Sequence, residues 1–276
     1  MRLDRAATLY VAKPLKIGFS RAGQLPILMY HSISETAEDS VTPYYRTVTR
    51  PDVFDSQMAC LKENGWRGVT IREGLKALAN GDASEDRLVA ITFDDGFEDF
   101  YVAAYPSLLA NKFSATMYVS TGYVGKEFKQ RPCMTWEQIQ ELHRAGVEFG
   151  SHTVNHPKLW HLEWPEIASE LRDSKVEIEN RLGSAAPSFA YPYAFPKQDR
   201  EFGVRFKQQL EKAGYENCVT TAIGRAQPGD DVFSLKRLPM TSLDDAELLL
   251  AKLDGAYDWL AWAQSAVQKV KMALRR

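Results

Sequence analysis

Short apolar runs of strand length alternate with stretches of helical spacing through most of this chain, and that alternation limits the fold more than any other feature. The clearest runs are residues 25–30 (LPILMY), 88–93 (LVAITF), 114–120 (SATMYVS) and 147–151. Weaker runs cover 187–191, 217–221 and 234–238. Between them, Phe54, Met58 and Leu61 share one helical face, and Gly65 stands where a helix end takes a left-handed residue. A helix is expected from about 97 to 110, and another between 191 and 217. Thr135 and Gln138 form a capping box ahead of Ile139 and Leu142, and Gly146 ends that helix. Ile167, Leu171, Ile178 and Leu182 mark a long helix that stops at Gly183. Strands alternating with helices on this scale predict a parallel sheet covered by helices, either open or closed into a barrel.

At 276 residues with 45% hydrophobic composition, the chain suits one large domain with a sizeable core. Residues 1–24 read as an N-terminal extension, 25–253 as the main domain, and 254–276 as an amphipathic helix with a basic end. The tail mixes Trp259, Leu260, Trp262 and Val267 with Lys269, Lys271, Arg275 and Arg276, a pattern suited to peripheral contact with a membrane or to packing on the domain. A formal charge of -2 gives no reason to expect nucleic acid as a partner. Cys60, Cys133 and Cys218 are scattered, as buried thiols are, and make no disulfide framework. Charged residues interrupt the first apolar stretch, which makes it a poor secretory signal. The expectation is a cytoplasmic protein, membrane-associated through that tail if at all, with an extracytoplasmic location left open.

Two segments carry the chemistry. Thr92-Phe93-Asp94-Asp95-Gly96 leaves the C-terminal end of an expected strand, the end that faces the active site in parallel α/β proteins. Two successive carboxylates point in different directions there, so one can bind a cation while the other acts as a base. Ser151-His152-Thr153-Val154-Asn155-His156 leaves another strand, and it contains two of the five histidines. Imidazoles four apart can grip one divalent cation if the loop turns like a helix. Two histidines and a carboxylate leave open positions for water and substrate, and zinc is the default cation for such mixed donors. His31, at the end of the first strand, is the candidate proton donor. His143 lies inside a helix and His161 in a polar loop.

Together these segments resemble the polysaccharide deacetylases, a family of carbohydrate esterases, over roughly residues 25–238. The resemblance implies a distorted (β/α) barrel with about seven parallel strands and hydrolytic deacetylation of an N-acetylated oligo- or polysaccharide. It casts Asp94 as catalytic base and Asp95, His152 and His156 as metal ligands. Phe189-Ala190-Tyr191-Pro192-Tyr193 is similar to the family's groove wall, which implies substrate contacts at Tyr191 and Pro192 and an oxyanion-binding backbone N–H at Tyr193. The family has an arginine where Ala190 stands, and Arg237 on a late strand is the candidate replacement for orienting the base. The usual C-terminal acid histidine is also missing. Leu28-Met29-Tyr30-His31-Ser32-Ile33 is similar to an N-terminal motif of a circularly permuted subgroup acting on poly-N-acetylglucosamine, which gives His31 the acid role. Tyr123, Trp136, Trp160 and Trp164 lie near the expected site, with Trp160 the foremost candidate for stacking on a sugar ring. Two rivals remain: a hydrolase of another acylated substrate, such as an O-acetyl ester or non-sugar amide, and a silent carbohydrate-binding barrel.

Overall fold

Strands buried on both faces read as continuous apolar runs, and residues 88–93 form such a strand, with every side chain buried. The computed structural model describes residues 2–266 except 16, 18–22, 39, 84–85, 262 and 265. The strands are β1 (Ile27–Tyr30), β2 (Ser32–Ile33), β3 (Val48–Thr49), β4 (Arg67–Val69), β5 (Leu88–Phe93) and β6 (Thr116–Val119). They continue with β7 (Glu127–Phe128), β8 (Arg131–Pro132), β9 (Glu148–Ser151), β10 (Ser188–Ala190), β11 (Asn217–Ile223) and β12 (Leu235–Pro239). The helices are α1 (Leu3–Ala7), α2 (Pro51–Glu63), α3 (Ile71–Asn80) and α4 (Tyr105–Asn111), then α5 (Trp136–Arg144), α6 (Trp164–Leu182), α7 (Arg200–Lys212) and α8 (Ala246–Leu253).

The main sheet runs β1-β12-β11-β10-β9-β6-β5 and closes because β5 pairs again with β1, Leu28 opposite Ile91 and Tyr30 opposite Phe93. All of these pairings are parallel, so the open-or-closed question resolves to a seven-stranded parallel barrel with helices outside. β4 lies beside the first half of β5, Arg67 opposite Leu88. Side chains alternate across each strand. Ile27, Ala90, Tyr118, Ala190, Val219 and Leu235 pack together inside the barrel. Leu28, Val89, Ile91, Met117 and Leu238 turn outward against α2, α4, α5 and α8, while Phe189 and Cys218 turn outward against α6 and α7.

Helix starts and stops follow local chemistry. Thr135 and Gln138 make the reciprocal bonds of a capping box at the head of α5, and Gly183 closes α6 at φ +64°. α3 has a capping box too, Thr70 with Glu73, and Ile71, Leu75 and Leu78 lie along its inner face. The continuous helix expected over 97–110 is instead a π-type segment, Phe100–Ala104, running into α4. Pro106 sits in the first turn of α4 and has no N–H to give to the preceding turn, which favours such a register change. The two ends of the described chain lie together: Tyr257 donates to Asp4 at 2.7 Å and Trp259 Nε1 to Thr8 at 3.1 Å. Trp262, Val267 and the basic residues Lys269, Lys271, Arg275 and Arg276 of the expected tail helix lie outside the described residues.

Candidate active site

Parity decides which side chains reach the mouth of the barrel. In β5 the inward column is Leu88, Ala90 and Thr92, and one more step of two brings Asp94 to the C-terminal rim. The same count carries β1 to His31, β9 to His152 and β12 to Arg237. Asp94 N–H donates to the Tyr30 carbonyl at 3.0 Å, which ties the rim ends of β5 and β1 together.

Asp95, His152 and His156 converge. Asp95 Oδ1 lies 3.5 Å from His152 Nε2 and 3.2 Å from His156 Nε2, and all three residues are buried. Ligand atoms of the trio lie within 4.8 Å of one another. Asp95 Oδ1 is buried without a well-formed hydrogen bond, although it faces two imidazole nitrogens. An oxygen left so would cost about 1–3 kcal/mol, and a cation held at about 2 Å from each donor would satisfy it. His152 Nδ1 donates to the Ala190 carbonyl at 2.7 Å, which fixes the tautomer and leaves Nε2 free as a donor to a metal. Burial pushes the His156 imidazole below its ordinary value despite Asp95, so it is neutral, as a ligand must be. Burial works against ionisation of Asp95 too, but the two imidazoles set against it hold its carboxyl well below the usual range. The residues therefore fit a divalent cation.

Asp94 sits beside this trio under different control. Arg237, fully buried, reaches past β1 and grips both its oxygens, Nη1 to Oδ1 and Nη2 to Oδ2, each at 2.7 Å. The guanidinium also donates to Thr92 Oγ1 at 3.2 Å and to the Thr220 carbonyl at 3.0 Å. Burial alone would raise the Asp94 carboxyl, but the Arg237 charge and hydrogen bonds bring it below its ordinary value, so it stays an anion. His31 Nε2 stands 3.9 Å from Asp94 Oδ2. Burial depresses its imidazole, against the pull of Asp95 and Asp94.

The backbone of the histidine loop is tied down from several sides, whereas His156 Nδ1 is buried with no hydrogen-bond partner. Thr153 N–H donates to Ser151 Oγ at 3.1 Å, those of Val154 and Asn155 to Glu170 Oε2 at 2.8 and 3.0 Å, and that of His156 to Thr153 Oγ1 at 2.9 Å. The carbonyls of Thr153 and Val154 accept from the N–H groups of Thr121 and Gly122, at 3.1 and 2.9 Å. This network carries strain. Thr153 is at φ +72° and His156 at +49°, while Asp95 and Tyr193 are at +76° and +59°. Such conformations in non-glycine residues cost on the order of 1–3 kcal/mol each and persist only where surrounding bonds over-determine them.

The rim corrects part of the sequence reading. Tyr193 is exposed, its ring 4.6 Å from that of His156, and its carbonyl accepts from Thr221 at 3.0 Å. Tyr191, expected on the groove wall, is buried instead. One step of parity turns it outward, where its ring is 1% exposed among Phe195, Phe202 and Phe206. Pro192 is also buried and serves to turn the chain toward Tyr193. Trp160 is exposed on the turn Leu159–His161 that follows the histidine loop, edge-on to His161.

Sequence reasoning missed Lys129 and Glu170. Lys129 and Gln130, at φ +50° and +63°, form the two-residue turn of the β7–β8 hairpin. That turn sets the ammonium 3.6 Å from Asp95 Oδ2 and 4.5 Å over the Phe128 ring. No residue there is a usual turn former, so nothing local announces the hairpin. Glu170 had one: Ser174, a buried serine within the apolar stripe of α6, bonds to Ser151 at 2.7 Å and marks the helix face under the histidine loop.

A parallel barrel carrying a buried Asp-His-His cluster and a separately held carboxylate at its C-terminal mouth has the layout of a hydrolase. Comparison with known proteins narrows this. Residues 81–218 match the family described as polysaccharide deacetylase, and this chain belongs to that family. YxkH of Bacillus subtilis, a polysaccharide deacetylase by name, is 30% identical over 235 residues, covering 85% of this chain and 75% of its own. The poly-β-1,6-N-acetyl-D-glucosamine N-deacetylase of Staphylococcus aureus is 27% identical over 215 residues, 74% of this chain and 71% of that one. Among solved structures, the Streptococcus pyogenes deacetylase PplD in complex with acetate superposes with a TM-score of 0.73 at 30% identity, over 83% of this chain and 98% of PplD. IcaB of Ammonifex degensii shares the fold, with a TM-score of 0.68 at 24% identity over 83% of this chain and 97% of IcaB.

Proposed function

We propose that this deacetylase is metal-dependent and hydrolyses the N-acetyl groups of an amino-sugar polymer or oligomer, of the exopolysaccharide or cell-wall type. The observation that carries the reading is the meeting of Asp95 Oδ1 with two imidazole Nε2 atoms beside a carboxylate already committed to an arginine. A binding module has no need of either arrangement. The name of the Staphylococcus aureus relative supports an N-acetylglucosamine polymer as substrate.

A divalent cation on Asp95, His152 and His156, zinc by its donor set, would polarise the acetyl carbonyl and lower the pKa of water to about 7. The chain's own residues do the rest. Asp94, held ionised and immobile by Arg237, accepts a proton from the attacking water. The Tyr193 backbone N–H donates to the oxygen that becomes negative, an interaction worth about 2.7–4 kcal/mol where such donors have been removed. His31 Nε2, on the same side as Asp94 Oδ2, gives a proton to the departing sugar nitrogen. The carbon–nitrogen bond breaks to release acetate and a free amine.

The test is acetate release from a panel of N-acetylglucosamine oligomers and polymers, with and without a chelator. Release that a chelator abolishes and zinc restores is the expected result. Turnover indifferent to chelation would remove the metal, and release only from O-acetyl esters or non-sugar amides would reassign the substrate.

A further inference from the structure

Bonds within the histidine loop hold only part of its shape. Two successive N–H groups, those of Val154 and Asn155, converge on one oxygen of Glu170, and Asn155 Nδ2 donates to the other at 2.7 Å. Paired backbone donors of this kind make an anion-binding concavity, and bonds to an ionised acceptor are about twice as strong as neutral ones. Glu170 belongs to α6, 15 residues or more beyond the loop it binds. One turn further on, Ser174 bonds to Ser151, whose Oγ accepts the Thr153 N–H. Positions four apart share one face of a helix, so α6 grips the loop at both ends. On the opposite side, Thr121 and Gly122 bind the loop carbonyls.

We propose that Glu170 is a positioning residue for the metal centre. It never touches cation or substrate. It holds residues 153–155 in the strained turn that brings His156 Nε2 and His152 Nε2 to the same oxygen of Asp95. This rests on the metal reading given under Proposed function. Without the carboxylate, the donors of Val154 and Asn155 return to water and Thr153 is free to leave φ +72°, which moves His156 away from its partner. Supports of this type alter metal affinity by about 10–100-fold when removed.

The experiment compares wild type, Glu170→Ala, Glu170→Gln and, as control, Glu177→Gln, which removes one charge from the same helix at a residue paired with Arg181. Zinc affinity is read by competition with a chromophoric chelator. Amide exchange at Val154 and Asn155 is read on the metal-free protein. Glu170→Ala should bind zinc about 10–100-fold more weakly, exchange both amides at least about tenfold faster, and regain kcat in excess zinc with KM unchanged. Glu170→Gln preserves the shape and one acceptor, so it should fold normally and fall between the two. The control should match wild type. Wild-type zinc affinity and exchange in folded Glu170→Ala and Glu170→Gln would overturn the proposal. Faster exchange in the Glu170 variants of a protein that binds no zinc would sink the metal reading and leave the loop clamp standing.

Discussion

The guanidinium of Arg237 meets both carboxylate oxygens of Asp94 at 2.7 Å, although 143 residues separate the two in sequence. A buried carboxylate paired in this way is costly to strand, since removing one partner leaves the other charged in a dry site at about 3–5 kcal/mol. Arg237→Ala should therefore lower both the melting temperature and kcat, the latter by about 100-fold or more if Asp94 is the base. Arg237→Lys restores the charge but not the two-pronged contact and should fall between. Initial rates and thermal melts of both variants decide this; kcat within twofold of wild type in Arg237→Ala would show that Asp94 needs no such support.

Lys129 stands 3.6 Å from Asp95 Oδ2 on a side chain that is about half exposed. An ammonium there competes with any cation that Asp95 binds. Lys129→Met should tighten zinc binding by about three- to tenfold at low ionic strength, and the gain should shrink as salt screens the charge. Chelator competition at two salt concentrations reads both effects. Weaker binding in the variant would instead make Lys129 part of the site's scaffold.

Gly122 touches the histidine loop so closely that a Cβ there would lie 2.7 Å from the Val154 carbonyl oxygen and 3.3 Å from Asn155 Oδ1. No side chain fits without moving the loop. Gly122→Ala should cost about 1–3 kcal/mol of stability, as overpacking does, and should weaken zinc binding as well. Urea unfolding and zinc titration on the same preparation test it. Stability lost with zinc affinity intact would show that the strain relaxes away from His156.

Where the two ends of the described chain meet, burial would raise the Asp4 carboxyl, yet hydrogen bonds from Arg2 and Tyr257 bring it from 3.8 to about 2. A depressed folded-state pKa contributes stability above the unfolded value, and that contribution disappears as pH falls from there through about 2. Asp4→Asn should thus be less stable than wild type at neutral pH, with the difference closing as pH drops below 4 toward 2. Denaturant midpoints across that range would show it, and a constant difference would assign the loss to packing.

Much of this protein is written locally. The two apolar faces of β5, the capping box at Thr135 and the glycine stop at Gly183 each depend on residues a few positions apart, so they could be read directly. The two motifs at strand ends, Asp94-Asp95 and His152 with His156, were legible for the same reason, because parallel strands deliver their C-terminal ends to one rim. Even the outward turn of Tyr191 follows from parity along β10. What the chain alone left open is who meets whom. The pairing of β1 with β5 closes the barrel and sets His31 beside Asp94; the register of β12 aims Arg237 across it; a hairpin and a distant helix bring Lys129 and Glu170 to the metal ligands. Periodicity and capping are short-range and survive in one dimension. Closure and register are contacts between distant segments, fixed only when the whole barrel packs.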